Sequence, residues 1–302
     1  SGLFTDKPTQ GTCVQADFTF SFEMPKLAFL MPENVEHCGH WVYRSIGLHP
    51  ESWEAMDSPW YYVEKDMAQH WLRPRKKFDH KGDYGHALLA MGSLGKMGAA
   101  ILSAKACLRS GTGLVTIHAP QCGYPILQSS IPEAMVICDH HMSCISEIDP
   151  NEVEHDAIGI GCGIGVNRLT AVGVKDLLAR VDEPMVLDAD ALNILAQNPE
   201  WWALVPKESI LTPHPGEFRR LFGESPDGFA RLKLLGEKAA EHGVYILLKG
   251  AHTVTACPDG TFYFNSTGNP GMATGGSGDV LTGIITGLLA QGYSPRQATI
   301  LG

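Results

Sequence analysis

Thr267-Gly268-Asn269-Pro270-Gly271-Met272-Ala273-Thr274-Gly275-Gly276-Ser277-Gly278-Asp279-Val280-Leu281-Thr282-Gly283-Ile284-Ile285-Thr286-Gly287-Leu288-Leu289 runs from a glycine-dense loop straight into an apolar helical pattern. Val280, Leu281, Ile284, Ile285, Leu288 and Leu289 recur at helical spacing, and Gly283 and Gly287, four apart, suit close packing on a neighbour. Gly275, Gly276 and Gly278 lack a Cβ, so their backbone N–H groups can converge on an anion, and the helix that follows adds the positive end of its dipole. Asp279 stands where that helix begins. Read structurally it is an N-cap; inside an anion hole, however, a carboxylate is electrostatically wasteful unless it handles a proton. The functional reading is therefore favoured.

Outward from this loop the chain alternates. Lys81-Gly82-Asp83-Tyr84-Gly85-His86 leads to the apolar run Ala87 to Met91, the turn Gly92-Ser93-Leu94-Gly95 and a helical pattern from Met97 to Arg109. Gly111 and Gly113 end it before Leu114-Val115-Thr116-Ile117. Ala157 to Ile160 precedes Gly161-Cys162-Gly163-Ile164-Gly165, a helix through Val174 to Ala179, and the strand Met185 to Asp188. Ser209 to Thr212, Val244 to Leu248 and Val254 to Ala256 continue the series. Apolar strands alternating with helices predict an α/β fold: a mostly parallel sheet covered on both faces, with ligands at the strands' carboxyl ends.

The first fifty residues differ. Ala16 to Phe22 alternates at period two and Gly39 to Gly47 reads as a second strand, too few to form an independent core. Residues 51–80 turn aromatic and charged, with Trp53, Trp60, Tyr61, Tyr62 and Trp71 before Arg73-Pro74-Arg75-Lys76-Lys77. They read as a linker packing on its neighbours, the basic run as a solvated face or juncture.

Composition narrows the functional classes. The 302 residues, 44% hydrophobic, suffice for one large domain or two smaller ones. Lys+Arg at 23 against Asp+Glu at 33 give −10, which argues against nucleic acid as a partner and leaves room for a local anion site. Eight cysteines without a Cys-x-x-Cys pair read as buried reduced thiols in a cytoplasm. No apolar run approaches the roughly 20 residues of a membrane span, and no signal peptide opens the chain. A start at Ser1 without Met, and a stop at Gly302 as a helical pattern restarts, read as a piece of something longer.

Several loops hold chemistry. Gly161-x-Gly163-x-Gly165 admits either a close-lying ligand or a plain turn. Asp188-Ala189-Asp190-Ala191-Leu192-Asn193 places two carboxylates and an amide near one strand end, for magnesium and phosphate work or for helix capping by Asp190. His214 sits between Pro213 and Pro215 in a stiff loop, which favours a ligand contact. Lys249-Gly250-Ala251-His252-Thr253 offers a cation, a hydroxyl and backbone donors suited to a nucleotide phosphate. Asp139, His140 and His141 read as a surface loop rather than a metal site.

Taken together, Lys81-Gly82-x-Tyr84-Gly85-His86, Met91-Gly92-Ser93 with Gly98-Ala99, Gly111-x-Gly113-Leu114-Val115, Asp188 to Leu192, Thr212 to Glu217, Lys249-Gly250-Ala251-x-Thr253 and Asn269 to Asp279 resemble the NAD(P)H-hydrate dehydratase family of the ribokinase-like superfamily. The resemblance implies a ribokinase-like fold over 81–302. Ser1-Gly2-Leu3, Ala16 to Phe20, Pro25-Lys26 and Ile46-Gly47 resemble the end of an NAD(P)H-hydrate epimerase domain, so residues 1–50 are expected to be its β-rich remnant and 51–80 the linker.

What the resemblance implies is a repair reaction, with ADP or ATP and Mg2+ as cofactors and NAD(P)H hydrate as substrate. Asp279 is then the general base, and Gly275, Gly276, Ser277 and Gly278 stabilise the transferring phosphoryl group. Ala99, Gly163, His214 and Asp279 contact the hydrate; Lys249, Gly250, Ala251, His252 and Thr253 hold the nucleotide with Gly278. In the epimerase family the serine matching Ser1 is a potassium ligand, but with the rest of that domain absent no epimerase activity is expected. The epimerase-then-dehydratase order resembles bacterial proteins and favours ADP, and family members are commonly homo-oligomers. The competing expectations are a ribokinase-like small-molecule kinase and an inactive nucleotide-binding scaffold.

Overall fold

A computed structural model of the chain describes residues 2–49, 51 and 56–302; Ser1, expected as a potassium ligand, and Trp53 lie outside them. Twelve strands are present among the described residues: β1 (Phe18–Phe22), β2 (His40–Arg44), β3 (Trp60–Val63), β4 (His86–Ala90), β5 (Leu114–Ala119), β6 (Met135–Cys138), β7 (Ala157–Ile160), β8 (Met185–Leu187), β9 (Ile210–Leu211), β10 (Tyr245–Leu248), β11 (Val254–Ala256) and β12 (Phe262–Asn265). Ten form one sheet in the order β3-β12-β11-β10-β9-β8-β7-β4-β5-β6, and β1 pairs with β2 in a separate parallel pair. In the large sheet only β10–β11 and β11–β12 are antiparallel.

The sheet is mostly parallel because its strands are apolar on both faces. In β4, Leu88 and Ala90 point to one core and Ala87 and Leu89 to the other. The first core packs under the helices Arg168–Leu178, Ala189–Gln197, Pro215–Phe222 and Gly228–His242. The second packs under Met97–Arg109, Ser277–Ala290 and Pro295–Leu301. In the second layer Gly283 and Gly287 let the helix Ser277–Ala290 lie directly on its neighbour. A Cβ at Gly283 would overlap the Ser103 carbonyl oxygen, and one at Gly287 would overlap the Ser110 and Thr112 hydroxyls.

The segment 51–80, read as a packing linker, also supplies β3, whose residues pair in register with β12 (Trp60 with Phe262, Tyr61 with Tyr263). Trp60 lies 4.4 Å from Phe262, and Tyr61 stacks on Tyr263 at 5.0 Å. Cross-strand aromatic pairs of this kind make the strand, and local periodicity does not reveal them. The basic run is a juncture: Arg73 lies over the Tyr293 ring and Arg75 over the Tyr84 ring. The N-terminal region docks through Glu33, which accepts the Gly228 N–H at 2.8 Å, and through Trp41 against Tyr62 and His252.

All eight cysteines are free, but Cys138 is exposed and Cys13 and Cys122 are only half-buried, so the expectation of buried thiols holds for five. Among the described residues no helix is long and apolar enough to cross a membrane.

Candidate active site

The site follows from the winding of the sheet. β4 and β7 are neighbours, yet the chain leaves β4 toward β5 and leaves β7 toward β8. The loops after these two strands therefore diverge and open a crevice at their carboxyl ends. Across it, Gly92 N–H donates to the Cys162 carbonyl (2.9 Å) and the Ser93 hydroxyl to the Gly163 carbonyl (2.6 Å). Gly163 is left-handed (φ 69°), and a Cβ there would press on the Ala99 Cβ and the Lys96 carbonyl at 3.0 Å. The two residues expected to share one ligand, Ala99 and Gly163, are therefore adjacent.

Asp279 occupies the first turn of the helix Ser277–Ala290, half-buried. The N-cap is Gly276, left-handed at φ 94°, with no side-chain cap bond, so Asp279 is not the cap. First-turn N–H groups have no intrahelical partner and point, with the positive end of the helix dipole, into the crevice end of the sheet. That setting alone lowers a carboxyl pKa, whereas the pKa of Asp279 is raised. Burial is the largest cause; a hydrogen bond from the Cys162 thiol opposes it, the charge of Asp188 adds to it, Lys249 opposes and Asp190 adds. Cys162 in turn is pushed well above the ordinary thiol range, by burial first and then by the charges of Asp188 and Asp279. It stays neutral beside the carboxylate.

Asp188 is the anchor of the site. It is 1% exposed and accepts hydrogen bonds from Ala189 N–H (2.8 Å), the Lys249 ammonium (2.9 Å) and the Thr282 hydroxyl (2.7 Å). Thr282 lies one turn beyond Asp279, so this one carboxylate ties Lys249, at the end of β10, to the helix bearing Asp279. Glu217, also buried, stands 3.9 Å from the Lys249 ammonium. The capping role that was one alternative for Asp190 belongs to Asp188; Asp190 instead accepts Gly165 N–H at 2.8 Å and faces the Lys96 ammonium at 3.5 Å. With Asp188 engaged by three donors, and no group of three metal-ligating side chains among the described residues, the chain offers no cage for Mg2+. A magnesium ion would be held chiefly by nucleotide phosphates, as this ion commonly is.

His214 caps the helix Pro215–Phe222, its Nδ1 accepting Gly216 N–H at 2.9 Å, with its ring about half exposed. The segment Lys249–Thr253 joins β10 to β11, and the Thr253 hydroxyl closes it onto the Gly250 carbonyl at 3.1 Å. A cavity of about 540 Å3 is lined by Lys249, Gly250, Ala251 and Thr253 on one side and by Ser277 and Gly278 on the other. The structure thus brings the two sets of residues expected at the nucleotide to one space, with Gly275 and Gly276 leading into it. His252 is set apart: its ring lies 5.8 Å from Trp41, with a buried Nδ1 that has no partner.

Asp139 departs from the surface-loop reading. It is 2% exposed and accepts hydrogen bonds from His118, His141 N–H, Ser146 N–H and its hydroxyl, and Glu147 N–H. Burial raises its pKa, but these donors outweigh burial and hold it well below the carboxylate range. His140 stays exposed. Cys162, Thr282 and Ser103, whose hydroxyl donates to the Asp279 carbonyl at 2.9 Å, carry no local sequence signal.

The family described as NAD(P)H-hydrate dehydratase matches residues 87–302. The bifunctional NAD(P)H-hydrate repair enzyme Nnr of Moorella thermoacetica is 40% identical over 97% of this chain and 57% of its own length. The chain therefore spans a little over half of such relatives. The ADP-dependent (S)-NAD(P)H-hydrate dehydratase of Neisseria meningitidis serogroup B is 38% identical over 77% of this chain and 78% of its own. Among solved structures, the ADP/ATP-dependent NAD(P)H-hydrate dehydratase of Bacillus subtilis, co-crystallised with ATP/Mg2+, superposes with a TM-score of 0.68 at 33% identity. It covers 80% of this chain and 85% of that one. A ribokinase-like superfamily protein from Enterococcus faecalis also gives 0.68, at 29% identity over 81% and 84% of the two chains.

Proposed function

Since this chain belongs to the NAD(P)H-hydrate dehydratase family, we propose that it spends a nucleoside di- or triphosphate to dehydrate the S epimer of NAD(P)H hydrate. The observation that carries the reading is the link Asp279–Thr282–Asp188–Lys249, which sets a carboxylate of raised pKa beside a cation-bearing nucleotide cavity. Hydroxide on C6 of the nicotinamide ring is a poor leaving group. Asp279 accepts the hydroxyl proton as the oxygen attacks the terminal phosphoryl group, forming the C6–O–P ester and releasing the shortened nucleotide. Gly275 to Gly278 supply N–H donors to the transferring group, and Lys249 neutralises its charge. The ring nitrogen's lone pair then expels phosphate, and loss of a ring proton restores the double bond of NAD(P)H. The hydrate lies against Ala99, Gly163 and His214.

The donor is ADP or ATP, entering with Mg2+ on its phosphates; ADP is favoured by the dependence named for the Neisseria relative. Residues 1–50 are read as the end of an epimerase domain, in line with the bifunctional name of the Moorella relative, with Ser1 at its potassium site, and the whole as a cytoplasmic homo-oligomer. The test is incubation with hydrated NADH and ADP or ATP, side by side. Return of absorbance at the NADH wavelength is expected; a stable phosphoester without recovery would mean a kinase, and no phosphoryl transfer from either donor a scaffold.

A further inference from the structure

Along the hydrate side of the crevice, four side chains form one hydrogen-bonded line. The Lys96 ammonium faces Asp190 at 3.5 Å, Asn193 donates to Asp190 at 3.4 Å, and Arg220 donates through Nε to the Asn193 side-chain oxygen at 2.9 Å. The two ends flank residues proposed to touch the hydrate. At the Lys96 end, a Cβ built on Gly163 would lie 3.2 Å from the Lys96 Cβ. At the Arg220 end, one built on Gly216 would lie 2.8 Å from the His214 ring and 3.8 Å from the Arg220 guanidinium. Both cations are exposed, and among the described residues no carboxylate pairs with Arg220. Lys96 retains free ammonium N–H donors, and Arg220 keeps both terminal nitrogens of its fork for an anion. With the Asp190 carboxylate between them, the two cations leave this line one positive charge in excess, in a chain of net charge −10.

We infer that Lys96 and Arg220 bind phosphate groups of the dinucleotide hydrate, with Asp190 and Asn193 as positioning residues; this rests on the dehydratase reading. The substrate carries its reacting ring at one end and a pyrophosphate beyond it, with a further 2′-phosphate in the NADPH form. A ring held at Ala99, Gly163, His214 and Asp279 leads its phosphates out over this rim. Charge-assisted hydrogen bonds to phosphate are the chemistry the two side chains offer.

The test measures KM for NADH hydrate and for NADPH hydrate, and Kd for NAD+ and NADP+, in the parent chain and in Lys96→Met, Arg220→Met and Lys96→Arg. Each methionine variant is expected to weaken the dinucleotide about tenfold, with KM for the phosphoryl donor unmoved and with affinity restored in Lys96→Arg. Loss confined to the NADPH form assigns the contact to the 2′-phosphate, and equal loss on both forms to the pyrophosphate. Melting midpoints of the variants check that the weakened line has not merely loosened the helix Pro215–Phe222. Unaltered KM and Kd in both methionine variants overturn the inference. A parent that turns over neither hydrate overturns the dehydratase reading instead, and the Kd measurements still decide the role of the rim.

Discussion

Replacing Asp279 with Asn keeps the side chain's shape and removes its capacity to take a proton. Turnover should fall by about 10²-fold or more, while nucleotide binding, measured by equilibrium titration, survives. The same variant should melt higher than the parent at neutral pH. A carboxyl whose folded pKa is raised is more costly to keep ionised in the folded chain than in the unfolded one, so removing the charge relieves a strain that function requires. The pH profile should follow: activity lost on the acid side with a midpoint above the ordinary Asp value, because burial is the largest cause of the shift. Asp188→Ala is the opposite case. It strands the Lys249 ammonium and the Thr282 hydroxyl, and should destabilise by about 3–5 kcal/mol, read from the urea midpoint at unchanged slope. Asp279 was legible because glycines around a carboxylate at a helix start are a local pattern. Cys162 and Thr282 were not, because what matters about them is the carboxylates they meet through the fold.

At the level of elements, the packing of Ser277–Ala290 on Met97–Arg109 is the sharpest constraint. Gly283→Ala gains about 1 kcal/mol of helix propensity, yet its Cβ would collide with the Ser103 carbonyl, which is backbone and cannot swing away. Net destabilisation of about 1–3 kcal/mol is expected in chemical denaturation. Turnover should fall with it, since Ser103 also holds the backbone of Asp279. The close approach was readable from two glycines four residues apart, as were the helix Met97–Arg109 and the strand Ala157–Ile160, where apolar runs meet clear stop signals. β3, β6 and β12 escaped for a shared reason. β3 and β6 are the edges of the sheet and the short aromatic β12 lies between β3 and β11, so their strand character lies in their partners and not in their own periodicity.

For the molecule as a whole, stability should respond to acid in two steps. His86, His242 and His252 have pKa values lowered by burial, so they resist protonation in the folded chain and accept it freely once unfolded. Their contribution is present above about pH 6.5 and declines as the pH falls below it toward the depressed folded values. Asp139, held down by its donors, adds stability that is lost only as the pH falls below the ordinary Asp range. Urea midpoints from pH 8 to 3 should show the first step and the onset of the second, the first reduced in His252→Phe. The parallel sheet, its two cores and its crevice end could be anticipated from alternation alone. The docking of the N-terminal strands on the β10–β11 hairpin could not, because it depends on one indole meeting one imidazole. That meeting gives the protein an optical signal of its own: Trp41 stands 5.8 Å from His252, on the hairpin that begins with Lys249. Any movement of the hairpin on nucleotide binding must change the surroundings of that indole. Subtracting the emission of Trp41→Phe from that of the parent should leave a spectrum that titrates with ADP, and so let occupancy be followed by light without a label.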